Sequence, residues 1–289
     1  ATFGSDLSLL DSVFQAPDEV SKKAGRNDGD LDAAVMNRLL ELMASHAAQA
    51  RSSFYLCILN STHHEYQWPA TFEPPFRPFM ERVPLMPGAI TTANLPLLLN
   101  RYRNSIAFSD LLFGKFLEQL EKLGLAQNSV IVFTGDHGEE FLEEGNLTHS
   151  SKLNRYQLEV PLFFYAPGTR SMAPLSVGSH MDVMPSILDV LGLGEAAHRI
   201  LDGRSFFRAD QARFAIAAQC SSYTPGELLL DDGDHQFLVG LSSPQKVGYY
   251  VQATGLVARR SVSGSSKEKS ESLQPVRRAV AHIVRNATP

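Results

Sequence analysis

Long apolar runs are missing from this chain of 289 residues. No stretch approaches the ~20 apolar residues that a membrane-crossing helix needs, and no secretory signal pattern stands at the start. Positive charge is also in short supply. Lys and Arg number 26 against 31 Asp and Glu, a net charge of −5, which gives no electrostatic reason to expect nucleic acid. Cysteine is scarce: Cys57 and Cys220 lie far apart, a pattern compatible with either redox compartment. No internal repeat is visible. What remains is ordinary globular composition, 44% hydrophobic and 20% charged, in a length that suits one large α/β domain or a domain with a small appendix.

Strand and helix patterns alternate along the chain. Helical spacing of Leu31, Val35, Leu39, Leu42 and Met43 predicts a helix over 30–48, with Asp30 as its cap. Aromatic and branched residues over 53–59 predict a buried strand. The prolines between Pro69 and Pro96 predict a long loop over 65–100, of the kind that is usually functional or mobile. A second helix is expected over 101–123, with Ile106, Phe113, Leu117 and Leu120 on one face and Gly124 as its stop. Strands follow at 130–134 and 161–165, then a helix at 182–191 that Asp182 can cap. This alternation implies an α/β fold with a mostly parallel sheet sandwiched by helices. Shorter alternating strands over 213–260, turning at Asp231-Asp232-Gly233-Asp234, suggest a small C-terminal antiparallel appendix. The Ser- and Lys-rich run over 261–272 reads as a solvated linker, with a short helix from Pro275.

The richest chemistry sits at the end of the strand expected at 130–134. Val-Ile-Val-Phe-Thr-Gly runs into Asp136-His137-Gly138-Glu139-Glu140, and His149 lies thirteen residues past Asp136. An α/β sheet places ligands at the C-terminal ends of its strands. Asp and neutral His are ligands for divalent transition metals, and a bend at the strand end lets both side chains reach one ion. Gly138 then permits the turn without a Cβ clash. The competing reading is a strand-to-loop turn that uses Asp and Gly for backbone geometry alone. Glu139 and Glu140 read as capping and charging the next turn. His180 reads as structural, and His46, His198, His235 and His282 have no motif context.

Several segments in order resemble a known family. They are Tyr102-Arg103-Asn104-Ser105-Ile106, the VIVFTGDHGEEF run, His149-Ser150-Ser151-Lys152-Leu153, Val160 to Gly168, Ser179 to Gly192, and Leu201-Asp202-Gly203-Arg204-Ser205. Together they resemble the sulfatase-type domain of the alkaline phosphatase superfamily over roughly residues 50 to 210. The flavour is that of its membrane-anchored group: phosphoethanolamine transferases, lipoteichoic acid synthases and sulfatase-like inner-membrane proteins.

The resemblance implies a metal-dependent hydrolase or transferase acting on sulfate or phosphate esters. A divalent metal would be held by Asp136 and His137, with zinc or manganese favoured and calcium or magnesium as alternatives. His149 matches a histidine that sits at the metal centre in one branch and contacts the transferred group in others; otherwise it is a surface loop residue. His63 matches the histidine of a His-x-Pro-Tyr pattern and would protonate the leaving oxygen or bind the head group, although Glu65 stands where that pattern has proline. His64, Lys152 and Arg155 would hold substrate oxygens, or Lys152 and Arg155 are solvent-facing charges. The implied partners are an ester substrate, a lipid head group among them, with no nucleic acid. The implied location is the periplasmic or extracellular face of the inner membrane.

The nucleophile motif of the family is missing. No Cys-x-Pro-x-Arg or Ser-x-Pro-x-Arg occurs, and Ala1 to Asp6 resembles the strand that follows the nucleophile segment. The expectation is a fragment whose membrane contact belongs to segments of its parent, organised as an α/β domain over 1–210, a small β subdomain over 211–260 and a tail over 261–289. Two other classes stay open: a non-catalytic sulfatase-like domain that senses or binds membrane lipid, and a metal-dependent isomerase or mutase of the same superfamily.

Overall fold

The computed structural model describes residues 27–84, 88–169, 175, 177–195, 201–208, 213–219, 227–233, 235–242 and 252–261. The expectations for Ala1–Asp6, for Cys220, for the linker beyond 261 and for the helix from Pro275 lie outside the described residues. Two compact units divide the chain, Ala1–Asn128 and Ser129–Pro289.

In the first unit, helix α1 spans Asp28–Ala48 and α2 spans Leu95–Lys122. The cap of α1 is Asn27, not Asp30: the Asn27 side chain accepts from the amides of Gly29 at 2.8 Å and Asp30 at 3.3 Å. Helix α2 starts earlier than 101 because Pro96 occupies its first turn, where a missing N–H costs nothing. Its buried stripe is Leu98, Asn104, Ser105, Phe108, Ser109, Leu112 and Leu120, whereas Ile106 and Leu117 are exposed. The apolar spacing missed this face because much of it is polar. Asn104 clamps the backbone of Phe76, accepting its N–H at 2.8 Å and donating to its carbonyl at 3.0 Å. Gly124, at φ +66°, ends the helix as expected.

Met36 of α1 packs with Phe108 and Leu112 of α2, and Cys57, Leu59, Trp68 and Phe72 close over them. Residues 51–60 join no ladder among the described residues. Even so, Tyr55, Cys57 and Leu59 turn inward while Phe54, Leu56 and Ile58 face out, the period of two of an extended chain. The buried carboxylate of Asp32 fixes the end of this segment. It accepts from the amides of Asn60 at 2.9 Å and Ser61 at 2.7 Å, and from the Ser61 hydroxyl at 2.6 Å.

The second unit carries β1 (Ile131–Thr134), β2 (Glu140–Phe141), β3 (Leu147–Thr148), α3 (Arg155–Leu158), β4 (Leu162–Tyr165), a 3₁₀ turn at His180–Asp182, α4 (Val183–Val190), β5 (Ala215–Gln219), β6 (Glu227–Asp231), β7 (His235–Ser242) and β8 (Gln252–Ser261). β1 pairs antiparallel with β4, Ile131 facing Tyr165. The α/β class stands, but every ladder among the described residues is antiparallel, and the mostly parallel sheet expected is not seen among them. The connection between β1 and β4 holds only the β2–β3 hairpin and the single turn of α3. A parallel pairing is usually made through a crossover helix packed on the sheet, and residues 135–161 hold no helix longer than that one turn.

Beyond β4, Asp182 occupies the N-cap position of α4 as expected, but its side chain makes no cap hydrogen bond to that helix and serves the 3₁₀ turn at His180–Asp182 instead. Ser179 caps it, and Asp182 returns a bond to the Ser179 amide, a capping box. Asp182 also accepts from the Arg204 amide at 2.7 Å and pairs with Arg213 at 3.5 Å. Strands β5 to β8 form a four-stranded antiparallel sheet in chain order, with Leu228, Leu230 and Phe237 at its core.

Candidate metal centre at the end of the first strand

β1 ends at Thr134, and Asp136 and His137 follow in the turn. Gly138 is required there by close approach and not by a positive φ. Its amide donates to the Gln157 carbonyl at 2.9 Å, and a Cβ on it would run into the carbonyl of Tyr156 on α3. The chain then makes the β2–β3 hairpin and returns to His149. Thr148 and Ser150 on either side of His149 both hold left-handed backbone, φ 66° and 65°. That conformation is uncommon for any non-glycine residue and a true outlier for a β-branched one. Such strain is held where surrounding structure over-determines it.

The return brings the two imidazoles together, with the rings of His137 and His149 at 3.7 Å between centroids. Each ring has its Nδ1 against an acceptor: His137 against the Gly138 carbonyl at 2.9 Å, His149 against Glu139 Oε1 at 3.2 Å. A carbonyl and a carboxylate can only accept, so both rings carry a proton on Nδ1. The Nε2 of a neutral ring then keeps its lone pair, the tautomer that metal-ligating histidines adopt, with the other nitrogen donating to a carbonyl or carboxylate.

His137 Nε2 lies 3.7 Å from Asp136 Oδ2. That is too long for a hydrogen bond. Two donors on one tetrahedral ion, each at ~2.1 Å, stand about 3.4 Å apart. The Asp136–His137 pair therefore fits one edge of a divalent ion's coordination shell, and the Asp136 side chain, 89% exposed, is open to an incoming ion. Among the described residues no group of three or more His, Cys, Asp or Glu side chains converges to hold a metal. His149 lies against the pair's imidazole, the rings tilted by 33°, and is held by Glu139, so two donors are in place.

The other residues expected at the site are placed as follows. Lys152 is exposed, and its amide donates to Gln157 Oε1 at 3.1 Å. Arg155 sits on α3, paired with Glu159 at 3.1 Å and lying over the Tyr156 ring. His63 and His64 belong to the first unit, in the turn after Asn60, where the Tyr66 amide donates to the His63 carbonyl at 2.8 Å. Glu65 stands in this turn at φ +84°. Proline is locked near −65°, so the loop takes a path that the His-x-Pro-Tyr pattern could not.

Three residues at this site carry more than sequence reasoning gave them. His180 donates through Nε2 to the Gly135 carbonyl at 2.8 Å, just before Asp136. Glu140 and Gln157 are both buried beneath the loop. Burial opposes ionisation of Glu140, but donors from Asn154, Gln157 and Asn146 outweigh it and hold its carboxyl down at about 2. An acidic residue next to an Asp-His pair gives no sequence sign that it faces inward.

Residues 6–193 match the profile of the sulfatase family, and the chain belongs to that family, within the alkaline phosphatase superfamily. It is 30% identical over 141 residues to the lipoteichoic acid synthase-like YvgJ of Bacillus subtilis, covering 44% of this chain and 22% of the relative. It is 38% identical over 100 residues to the low-salt glycan biosynthesis sulfotransferase Agl7 of Haloferax volcanii, covering 33% of this chain and 25% of the relative. The chain thus spans about a quarter or less of these curated relatives. The crystal structure of the lipoteichoic acid synthase LtaP from Listeria monocytogenes has the same fold, with a TM-score of 0.57 at 17% identity over 89% of this chain and 58% of that one. No helix among the described residues is long and apolar enough to cross a membrane.

Proposed function

We propose that this chain carries part of the site of a metal-dependent enzyme that hydrolyses or transfers sulfate or phosphate esters. The observation that supports this most directly is the Asp136–His137 pair, with its Nδ1-protonated imidazole and 3.7 Å donor separation. Asp136 and His137 would hold a zinc or manganese ion, which when bound supplies a positive charge against the ester oxygens. His149, with Nε2 free of its Glu139 bond, binds or protonates the transferred group. His63 protonates or binds the leaving group, and His64, Lys152 and Arg155 hold substrate oxygens. Arg155 must leave Glu159 to do so. That exposed pair is worth at most ~0.5 kcal/mol, so the exchange is easy.

The substrate class extends to glycan esters and lipid head groups, and the location that follows is the periplasmic or extracellular face of the inner membrane. The same reading gives the whole protein the superfamily's layered parallel sheet, with residues 1–210 as its α/β body, 211–260 as a β subdomain and 261–289 as a tail.

Calorimetric titration of the metal-free chain with zinc and with manganese tests the reading. One ion should bind, and binding should vanish in Asp136→Ala and His137→Ala. Equal binding in all three proteins would remove the basis for it. Aryl sulfate and aryl phosphate offered in parallel report which ester is preferred. Turnover by this chain is expected to be slight, because no Cys-x-Pro-x-Arg or Ser-x-Pro-x-Arg nucleophile motif occurs in it.

A further inference from the structure

We propose that Glu140 and Gln157 are positioning residues for this site, fixing the close contact of the His137 and His149 rings by tying both arms of the motif loop to the main chain and side chain of one buried residue. The proposal rests on the reading above only for what the paired histidines do. The tie itself is geometric.

Gln157 touches both arms. Its main-chain carbonyl accepts from the Gly138 amide at 2.9 Å, the residue after His137. Its side-chain Oε1 accepts from the amides of Ser151 and Lys152, both at 3.1 Å, two and three residues after His149. Main-chain amides only donate, so this end of the side chain must be oxygen and the other end nitrogen. Nε2 then donates to Glu140 Oε2 at 2.8 Å and to Ser151 Oγ at 2.7 Å.

Every neighbour of the Glu140 carboxylate is a donor. Asn154 Nδ2 reaches it at 2.7 Å, the Asn146 amide at 2.8 Å and the Glu144 amide at 3.1 Å. Asn154 in turn caps α3 by accepting from the Gln157 amide at 3.1 Å. The network closes with donors and acceptors matched, which is the condition under which buried polar groups rigidify a site. An acceptor-only group is needed at position 140. An amide there would aim an N–H at other N–H groups, release the Gln157 side chain and loosen the 151–152 arm that carries His149.

The test uses the full chain, metal-free, with the imidazole signals of His137 and His149 followed by long-range proton–nitrogen NMR. The native contact gives mutual ring-current shifts and Nδ1-protonated signatures. Glu140→Gln should abolish both and weaken zinc binding about 10–100-fold, the usual cost of losing an outer partner of a metal ligand. Gln157→Met cuts the side-chain tie and leaves Glu140 its donors from Asn154, Asn146 and Glu144. It should lose the same imidazole signals while those of His46, in the other unit, stay in place, which a general loss of structure would not allow. Where Glu140→Gln does not fold, Gln157→Met carries the test. A folded Glu140→Gln or Gln157→Met with unchanged His137 and His149 signals overturns the proposal. A native chain that binds no zinc, yet whose imidazole signals respond as stated, refutes the metal reading and leaves the positioning role standing.

Discussion

Two buried carboxylates, one in each unit, do the same job with their acidities shifted in opposite directions. Asp32 in α1 holds the turn at Asn60 and Ser61 that leads to His63, and Glu140 in β2 holds the loop that carries His137 and His149. Both are hidden from water, at 1% and 0% exposure. Burial pushes the Asp32 carboxyl up, and its bonds from Ser61 and Asn60 only partly offset that. Burial pushes Glu140 in the same direction but loses to its donors, which bring the carboxyl to about 2. The donors of Asp32 come from two consecutive residues on one side, and the Asp28 charge nearby raises it further. Those of Glu140 come from Glu144, Asn146, Asn154 and Gln157, on segments that surround it. Concealment from water does not by itself set the direction of the shift; the number and placement of the donors do.

The comparison can be broken at several points. Truncating Glu140 to Ala strands the side-chain amides of Asn154 and Gln157, and should cost about 3 kcal/mol in urea unfolding. Asp32→Ala should cost less, about 2 kcal/mol, because it orphans donors from only two residues, Asn60 and Ser61. A larger loss at Asp32 than at Glu140 would reverse the ranking. Gly138→Ala, which drives a Cβ against the Tyr156 carbonyl, should cost about 2 kcal/mol and separate the His137 and His149 signals. A neutral outcome there would mean that α3 is free to move away.

The pH dependence should split by sign. Glu140 is depressed in the fold, so its contribution is present above the ordinary glutamate range and is lost as pH falls toward about 2. Asp32 is raised, so its contribution is complete below the ordinary aspartate range and is lost as pH rises through its folded value. Glu140→Gln should flatten the acid limb of the stability curve, and Asp32→Asn should steepen it. Two variants that shift the curve in the same direction would refute the assignment. The smallest effect is expected at the exposed Arg155–Glu159 pair, where Arg155→Ala should change stability by no more than ~0.5 kcal/mol.

The elements that were legible in the sequence are those whose signal is local. Gly124 stops α2, the run at 130–134 is a strand, and Asp136 with His137 stands at its end. What escaped was set by distant partners. The stripe of α2 includes Asn104 because Phe76 supplies a backbone to clamp, and no apolar period records that. Asp182 serves Arg204 and Arg213 as well as its own turn, which spacing within one helix does not reveal. Glu140 and Gln157 stand seventeen positions apart and look like ordinary surface residues until the hairpin closes over them. The antiparallel pairing of β1 with β4 escaped for a related reason. Alternation of element types does not say what fills a connection, and residues 135–161 hold a hairpin and one helical turn in place of a crossover helix.

The Asp182–Arg213 pair sets how the second unit meets its medium. Both side chains are more than 90% hidden, and Arg213 also donates to the carbonyls of Arg204 and Arg208 and lies over the Phe206 ring. Raising salt from about 0.1 to 1 M cuts the screening distance from ~10 to ~3 Å, but mobile ions act on charges they can approach. The link from Asp182 to Arg204 and Arg213 should therefore hold in brine as it does in dilute buffer, while the exposed pairs fade. Guanidinium chloride is the exception among salts, because its cation has the shape of the Arg213 head group and competes for the same carbonyls and carboxylate.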